Sequence, residues 1–286
     1  MYKKRKSISK IELSASDFRK IQLIELELLT ELDRVCRLHH INYVIWGGTM
    51  LGAIRHKGFI PWDEDADVAM LREDYEKFKS VISDLDPSVC FFQDNTTDPN
   101  YRWGYGKLRR TGTKYVRLGQ EHIKCQTGIF LDIFPYDDIP KWLPLQMLQD
   151  FYCYCLRKIT WSEVGKKSAI GVKRVWYSLL SKIPIKWVFD RLSWIHNKSN
   201  NKTPNRVTCL MYTAIGKLYF KSPLKERYGI PKKWLLEREK FEFENHLFYG
   251  SRYYDDYLTY VFRDYMKLPP EEKRVQHLPA SEIKLI

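Results

Sequence analysis

A chain of 286 residues lies between one large domain and two ordinary ones; 44% hydrophobic and 29% charged residues, with 14 Gly and 13 Pro, exclude collagen-like, low-complexity and wholly disordered chains. Forty-eight Lys and Arg against 35 Asp and Glu leave +13, which favours an anionic partner such as a nucleotide, nucleic acid or a membrane surface. No stretch reaches the roughly 18 apolar residues of a membrane span, the basic start is followed by Glu12, Ser14, Ser16 and Asp17 rather than an apolar run, and six cysteines without a C-x-x-C pair read as reduced thiols, so the expected location is cytoplasmic.

In chain order, Ser14 or Ser16 caps a predicted helix whose apolar residues Phe18, Ile21, Ile24, Leu28, Leu32 and Val35 recur at three and four, ending near His39. A short strand, Tyr43 to Trp46, stops at the turn Gly47-Gly48; a brief helix runs from Thr49 to His56, and after a loop at Gly58 and Pro61 a strand resumes from Ala66 to Met70. Arg72 opens a helix with Tyr75, Phe78, Ile82 and Leu85 on one face, and strands are predicted at Val89 to Gln93, Tyr105 to Leu108, Lys114 to Leu118 and Gly128 to Phe134. From Lys141 to Asn201 the sequence is helical, basic and rich in tryptophan. A polar break at 197–204, an acidic-aromatic run from Glu237 to Tyr257 and a helix from Asp255 to Met266 complete the order, without an internal repeat.

The segment Trp46 to Met70 carries the chemistry. On an extended chain Asp63, Asp65 and Asp67 share a face while Glu64 points away. Three like charges there are costly unless cations neutralise them, and hard oxygens two apart suit Mg2+ or Mn2+ bridging phosphate oxygens. Gly47 and Gly48 permit close backbone approach, and the helix after them aims N–H groups and its positive end at a phosphate. Alone, an Asp-x-Asp is more often a surface loop beside a structural turn; here Phe59, Ile60 and Trp62 before it and Val68, Ala69 and Met70 after it place the charges at the end of a buried strand.

Gly47 to Val68, with Arg72-Glu-Asp-Tyr-Glu-Lys-Phe78, resembles the signature of the LicD family of phosphocholine transferases, related to the fukutin-type phosphotransferases. Lys107-Leu-Arg109 with Thr113, Gly128 to Pro135, and Asp264 to Arg274 with His277 resemble later motifs of that family in the same order. The resemblance implies an α+β, nucleotidyltransferase-like mixed-sheet core at about 14–140, a helical basic and aromatic region at 141–205, and a C-terminal segment at 206–286 completing the site. It implies transfer of phosphocholine from CDP-choline, or of a similar alcohol phosphate, to a sugar hydroxyl of a surface glycan precursor, with release of CMP. By position, Asp65 and Asp67 are the expected paired metal ligands, Asp132 the third carboxylate, Asp63 an extra ligand, and Mg2+ or Mn2+ the cofactor. Gly47, Gly48 and Thr49 are expected to cradle the donor. His277 is the candidate general base if the C-terminal segment folds over the site.

Other candidates are weaker. Arg55 and His56 either reach a diphosphate or form a solvated helix end. Lys107 and Arg109, two apart on a strand, share a face and suit transferring oxygens. Trp62 and Trp103 either enclose a quaternary ammonium or pack in the core. Tyr136, Asp137 and Asp138 adjoin the Asp132 strand or form a turn, and Glu242 and Glu244 read as an amphipathic strand more readily than as a head-group site. The rival functions are NMP transfer with release of pyrophosphate, the same reaction with a glycerol, ribitol or ethanolamine donor, and nucleic-acid binding, which the acidic cluster disfavours. Tryptophans between Trp161 and Trp194 interleaved with Lys166, Lys167 and Lys173 predict peripheral association with an anionic membrane, at its inner face, where a lipid-borne glycan acceptor is expected.

Overall fold

A computed structural model of the chain describes residues 13–199, 205–212, 228–276 and 278–286. Helix α1 (Ala15–Leu38) starts where Ser14 caps it, its hydroxyl accepting the Asp17 N–H at 3.1 Å. Then come β1 (Val44–Ile45), α2 (Gly47–His56), β2 (Ala66–Leu71), α3 (Arg72–Ser80), β3 (Cys90–Gln93), β4 (Gly106–Arg110), β5 (Lys114–Arg117) and β6 (Phe130–Asp138). Four helices follow: α4 (Leu143–Thr160), α5 (Ser162–Ser168), α6 (Val172–Leu180) and α7 (Ile185–Ser199). The remainder comprises β7 (Arg206–Thr208), β8 (Ile230–Pro231), α8 (Lys233–Leu236), β9 (Arg238–Phe243), β10 (His246–Ser251), α9 (Tyr254–Phe262) and β11 (Ala280–Lys284).

The main sheet is mixed, in the order β3-β4-β6-β2-β1-β10-β9, with β7 pairing to β6 and β8 to β7; β5 and β11 form a separate pair. Strand β2 runs parallel to β6 and β1 parallel to β10, and the other pairings are antiparallel. Because β9 and β10 extend the sheet beyond β1, residues 238–251 belong to the same core as the N-terminal strands. Leu28, Leu32 and Val35 of α1 join Val68, Leu131, Ile133, Phe243 and Phe248 in the largest apolar cluster. A second cluster holds α4 and α7 together through Leu156, Val188, Leu192 and Ile195, against Phe134 of β6. The smallest seats the start of α1 on β5, β6 and β11 through Phe18, Ile21, Tyr115, Phe130 and Leu278. All six cysteines are free thiols, and no helix among the described residues is long and apolar enough to cross a membrane.

Several boundaries differ from expectation for physical reasons. Gly47 and Gly48 form the first turn of α2 rather than a separate turn. Helix α3 stops at Ser80, and Ile82–Asp84 is a single 3-10 turn, so Ile82 and Leu85 do not extend its face. Strand β6 runs through Tyr136 to Asp138, because its far end pairs with β7. The last long helix ends at Phe262 instead of Met266, Arg263 taking a positive φ of 67°. Residues 200–204, part of the polar break, lie outside the described residues.

The far end of β6 is fixed by charge. Asp137 is fully buried and accepts two hydrogen bonds from Arg72 of α3, at 2.9 and 2.8 Å, while its Oδ1 lies 2.9 Å from Nδ1 of His196 on α7. Burial pushes this carboxyl up, but the Arg72 guanidinium and His196 hold it below the usual carboxylate range. The pair thus ties the sheet to both helical layers. A folded pKa below the unfolded one stabilises the protein above about pH 4, and that stability is lost as pH falls through the carboxylate range. Asp137→Ala leaves Arg72 with a missing partner and is expected to cost about 3–5 kcal/mol. Urea denaturation at pH 7 measures the loss, and the wild-type advantage shrinks in titrations toward acid.

Candidate active site

The site is built where β2, β6 and β4 lie side by side. Register places Asp67 opposite Asp132 in the parallel pair and Lys107 opposite Asp132 in the antiparallel pair, so the three side chains form one row across adjacent strands. Lys107 donates a short hydrogen bond to the Asp132 carboxylate and sits 3.5 Å from the centre of the Phe130 ring. Burial, with Arg117 and Arg109 nearby, brings its ammonium down to about 7 despite Asp132.

Helix α2 meets this row at its N-terminus. The Gly47 N–H donates to the Tyr257 hydroxyl at 2.9 Å, and the Trp46 ring stacks on Tyr257 at 3.8 Å. The Asp67 N–H donates to the Thr49 hydroxyl at 2.8 Å, and the Trp46 N–H donates to the Asp67 carbonyl at 2.9 Å. The glycines are required by carboxylates. A Cβ on Gly47, whose φ is +53°, would lie 2.9 Å from Asp67 Oδ2, and one on Gly48 would lie 2.3 Å from Asp63 Oδ2. The positive end of the helix therefore bears on the protein's own acids.

Asp63, Glu64 and Asp65 precede β2, so strict strand alternation does not apply to them. Glu64 accordingly does not leave the cluster as expected: burial and then the Asp65 and Asp63 charges push it up to about 8, offset in part by Arg117. Burial and then Asp65 push Asp63 up to about 7. Burial raises Asp65 and Asp67 as well, Asp132 acting next on Asp65, and Asp65 and Asp132 on Asp67. A sixth acid comes from α1. Glu25 is 1% exposed, its Oε2 is buried without a hydrogen bond, and burial followed by the charges of Asp65, Asp63, Glu64 and Asp67 raises it well above the carboxylate range. One turn away Gln22 donates to the carbonyls of Ile60 and Asp63, at 3.2 and 3.0 Å, holding the acidic segment to the helix.

Beyond Lys107 opens a cleft of about 450 Å³, large enough for a nucleotide-sized ligand. Arg117, Arg157, Lys158 and Arg109 contribute positive charge, and Trp103, Tyr105, Trp161, Tyr177 and Tyr212 contribute aromatic rings. Arg117 is held protonated by Asp132 and Asp65 against the cost of burial; its guanidinium lies 4.8 Å from the Phe130 ring centre, and its Nε is buried without a partner. Strand β11 fixes its position, Ala280 lying opposite Arg117. The sequence singled out neither Arg117 nor Glu25, nor the α4 cations.

Other expected residues are placed elsewhere. Arg55 donates to the Tyr265 carbonyl at 2.7 Å, and the ring of Trp62, the residue before Asp63, packs edge-on against His56 at 6.1 Å, both at the C-terminal end of α2. Arg109 reaches the cleft wall but donates to Gln93 and to the Gly128 carbonyl, both at 2.8 Å, which makes it a brace. Thr113 accepts the Ile129 N–H and donates to the Arg110 carbonyl. Glu244 pairs with Arg19 and accepts the Phe59 N–H, Glu242 is exposed on β9, and Asp138 pairs with Lys232. Tyr136 accepts from the Trp46 indole at 2.9 Å. His277 lies outside the described residues, though Leu278 and β11 beyond it flank Arg117.

The mixed sheet, the paired acids behind a glycine-started helix and the third acid on the parallel neighbour define a nucleotidyltransferase-like fold. Residues 40–162 match the family model described as LicD/FKTN/FKRP, nucleotidyltransferase domain. Over 284 residues, 91% of this chain and 95% of the relative, the sequence is 28% identical to the lipopolysaccharide cholinephosphotransferase LicD of Haemophilus influenzae. It is also 32% identical over 148 residues, about half of each chain, to an uncharacterised protein of Rickettsia prowazekii, and 36% identical over 56 residues, 20% of this chain and 18% of the relative, to one of Rickettsia typhi. Residues 40–162 thus match the LicD-type nucleotidyltransferase domain, and similarity to a LicD protein extends over most of the chain.

The crowding over α2 is testable. Gly48→Ala meets only the end of the Asp63 side chain, so it should fold with a thermal midpoint near wild type while displacing that carboxylate. Gly47→Ala should cost about 1–2 kcal/mol from the left-handed backbone alone. Thermal denaturation of the two variants side by side separates these effects.

Proposed function

We propose that this chain transfers a phosphocholine group from a CDP-choline donor to a sugar hydroxyl of a surface glycan, releasing CMP. The relative's name, a lipopolysaccharide cholinephosphotransferase, supports the transferred group and makes lipopolysaccharide the first acceptor to try. The observation that carries the reading is the row Asp67–Asp132–Lys107, an acidic well joined directly to a basic, aromatic cleft. A nucleoside diphosphate donor needs both: cations for its phosphates and rings for its base.

In the reaction the sugar oxygen bonds to the choline-side phosphorus, the bond from that phosphorus to the oxygen retained by CMP breaks, and the hydroxyl proton is released. Arg117, with a buried Nε still to be satisfied, is placed to bind the diphosphate, and Lys107 to meet charge growing on the leaving CMP. Trp103, Trp161 and Tyr212 offer stacking surfaces for the cytosine ring or for the trimethylammonium head. Phe130 and Tyr105 shield Lys107 from water and strengthen its electrostatic effect.

Among the described residues no group of three or more acid, His or Cys side chains is gathered closely enough to form a preset metal site. The donor chemistry nevertheless fits a hard divalent cation: six clustered carboxyls, all oxygen donors, five of them pushed above the usual range by burial and mutual repulsion, with one oxygen of Glu25 unpartnered. Asp65, Asp67 and Asp132 would hold Mg2+ or Mn2+, with Asp63 in support, and the ion would neutralise charge on the diphosphate.

Incubation with CDP-choline, lipopolysaccharide and Mg2+ is expected to release CMP and label the glycan; release of pyrophosphate from a nucleoside triphosphate instead would overturn the reading in favour of nucleotidyl transfer. Asp67→Asn and Asp132→Asn should each lower CMP release by about 10²–10³-fold or more. Arg117→Ala should raise KM for CDP-choline by about tenfold, the loss of one charge-assisted contact, with its fold checked by thermal denaturation.

A further inference from the structure

Helix α6 has an inward and an outward face. Inward, Tyr177 packs over Gly165 of α5 so closely that a Cβ there would lie 2.5 Å from the ring, and Leu180 joins the cluster formed by α4 and α7. Outward, Val172, Val175, Trp176 and Leu179 fall three and four residues apart and so share one side of the helix. They are 87, 61, 56 and 53% exposed, and Ile170 just before the helix is 80% exposed. Isolated apolar residues on a surface need no explanation, but a stripe along a helix that is otherwise fitted against protein marks a contact with something apolar.

Charge identifies that partner. Between Glu163 and Asp190 the sequence holds Lys166, Lys167, Lys173, Arg174, Lys182 and Lys186 and no acidic residue. Lys166 already pairs with Glu163 and Lys186 with Asp190, but Lys167, Lys173, Arg174 and Lys182 form no such pair among the described residues, and a hydrophobic protein surface would satisfy the stripe while offering them no counter-charge. An anionic bilayer satisfies both, with apolar side chains and Trp176 at the depth of the acyl boundary and the cations among the headgroups. Nine residues of helix lying flat suffice for this and cannot span.

We propose that α6 is the docking surface of this protein for an anionic lipid bilayer. The same helix walls the cleft through Tyr177, beside Trp161 and Lys158. Docking therefore brings the lipid surface next to the cleft, whatever alcohol the donor carries.

Co-sedimentation of the full chain with vesicles tests this, comparing phosphatidylglycerol mixed into phosphatidylcholine with phosphatidylcholine alone, at low and high salt. Wild type should bind the mixed vesicles at low salt and release at high salt. Val175→Glu with Leu179→Glu, at exposed positions away from the cleft, should weaken binding by about tenfold or more with an unchanged thermal midpoint. Lys166→Glu, Lys167→Glu and Lys173→Glu together should weaken it similarly, at low salt only. Trp176→Ser provides an independent test if the double variant fails to fold. Absence of wild-type binding to the mixed vesicles at low salt overturns the proposal, as does unchanged binding by the stripe variants. A wild-type dimer that the stripe variants dissociate, without vesicle binding, also overturns it and assigns the stripe to self-association.

Discussion

Mutual repulsion among buried carboxylates is the constraint on which the site depends. Glu25, Asp63, Glu64, Asp65, Asp67 and Asp132 come from one helix, one loop and two strands, and burial makes each like-charge neighbour more expensive than it would be in water. The surrounding structure offsets that cost. The N-terminus of α2 is pressed against Asp63 and Asp67, which is possible only because Gly47 and Gly48 have no side chains. Thr49 and Gln22 grip the backbone around the acids, Lys107 bonds the Asp132 carboxylate, and Arg117 adds positive charge on the same side. Hydrogen bonds thus hold the acids where charge alone would separate them.

Acid and base meet at Lys107. It faces Asp132 on one side and forms the floor of a cleft carrying Arg117, Arg157 and Lys158 on the other. A diphosphate seated in such a cleft has its negative oxygens among cations, and its reacting phosphorus beside a group of acids. Clustered acids repel a phosphate, and the cations of the cleft, Lys107 and Arg117, stand between them and any anion seated there. Burial brings the Lys107 ammonium down to about 7 even with Asp132 against it, so the low-dielectric position costs more than the ion pair returns.

Much of this was legible in the sequence, because short-range patterns dictate it. Alternation and glycine placement located β1, α2 and β2, and the family motifs located Asp132 and Lys107 on their strands. Where the sequence left alternatives open, a tertiary partner decided between them. Tyr136, Asp137 and Asp138 read either as neighbours of the Asp132 strand or as a turn, because nothing local reveals that β7 pairs alongside them and extends β6. Arg55 sits in the last turn of α2, where the Tyr265 carbonyl takes up its guanidinium, and the Trp62 ring rests on His56 at the same end of that helix. Arg117 carries no local signal at all; its role comes from Phe130 beneath it and β11 beside it. Glu25 did leave a trace: Phe18, Ile21, Glu25, Leu28, Leu32 and Val35 repeat at three and four without a break, so the acid occupies a buried position of the stripe, whereas Ile24, chosen for its hydrophobicity, is half-buried.

The supports of the site extend beyond the segment that matches the family model. Residues 40–162 contain the carboxylates of the loop and strands, both glycines, Lys107, Arg117 and the α4 cations. Glu25 and Gln22 precede that segment, while Tyr257, which receives the first N–H of α2, Tyr212 on the cleft wall, and β11, which fixes Arg117, follow it. The strand carboxylates and cations are therefore local to one stretch of chain, but the forces that hold them in place come from both of its ends. The smallest apolar cluster makes the connection physical: Phe18 and Ile21 from one terminus pack with Leu278 and Ala280 from the other around Tyr115 and Phe130, directly beneath Arg117 and Lys107. Loosening that cluster would free the cations to move against the acids without touching a single residue of the matched domain's carboxylate row.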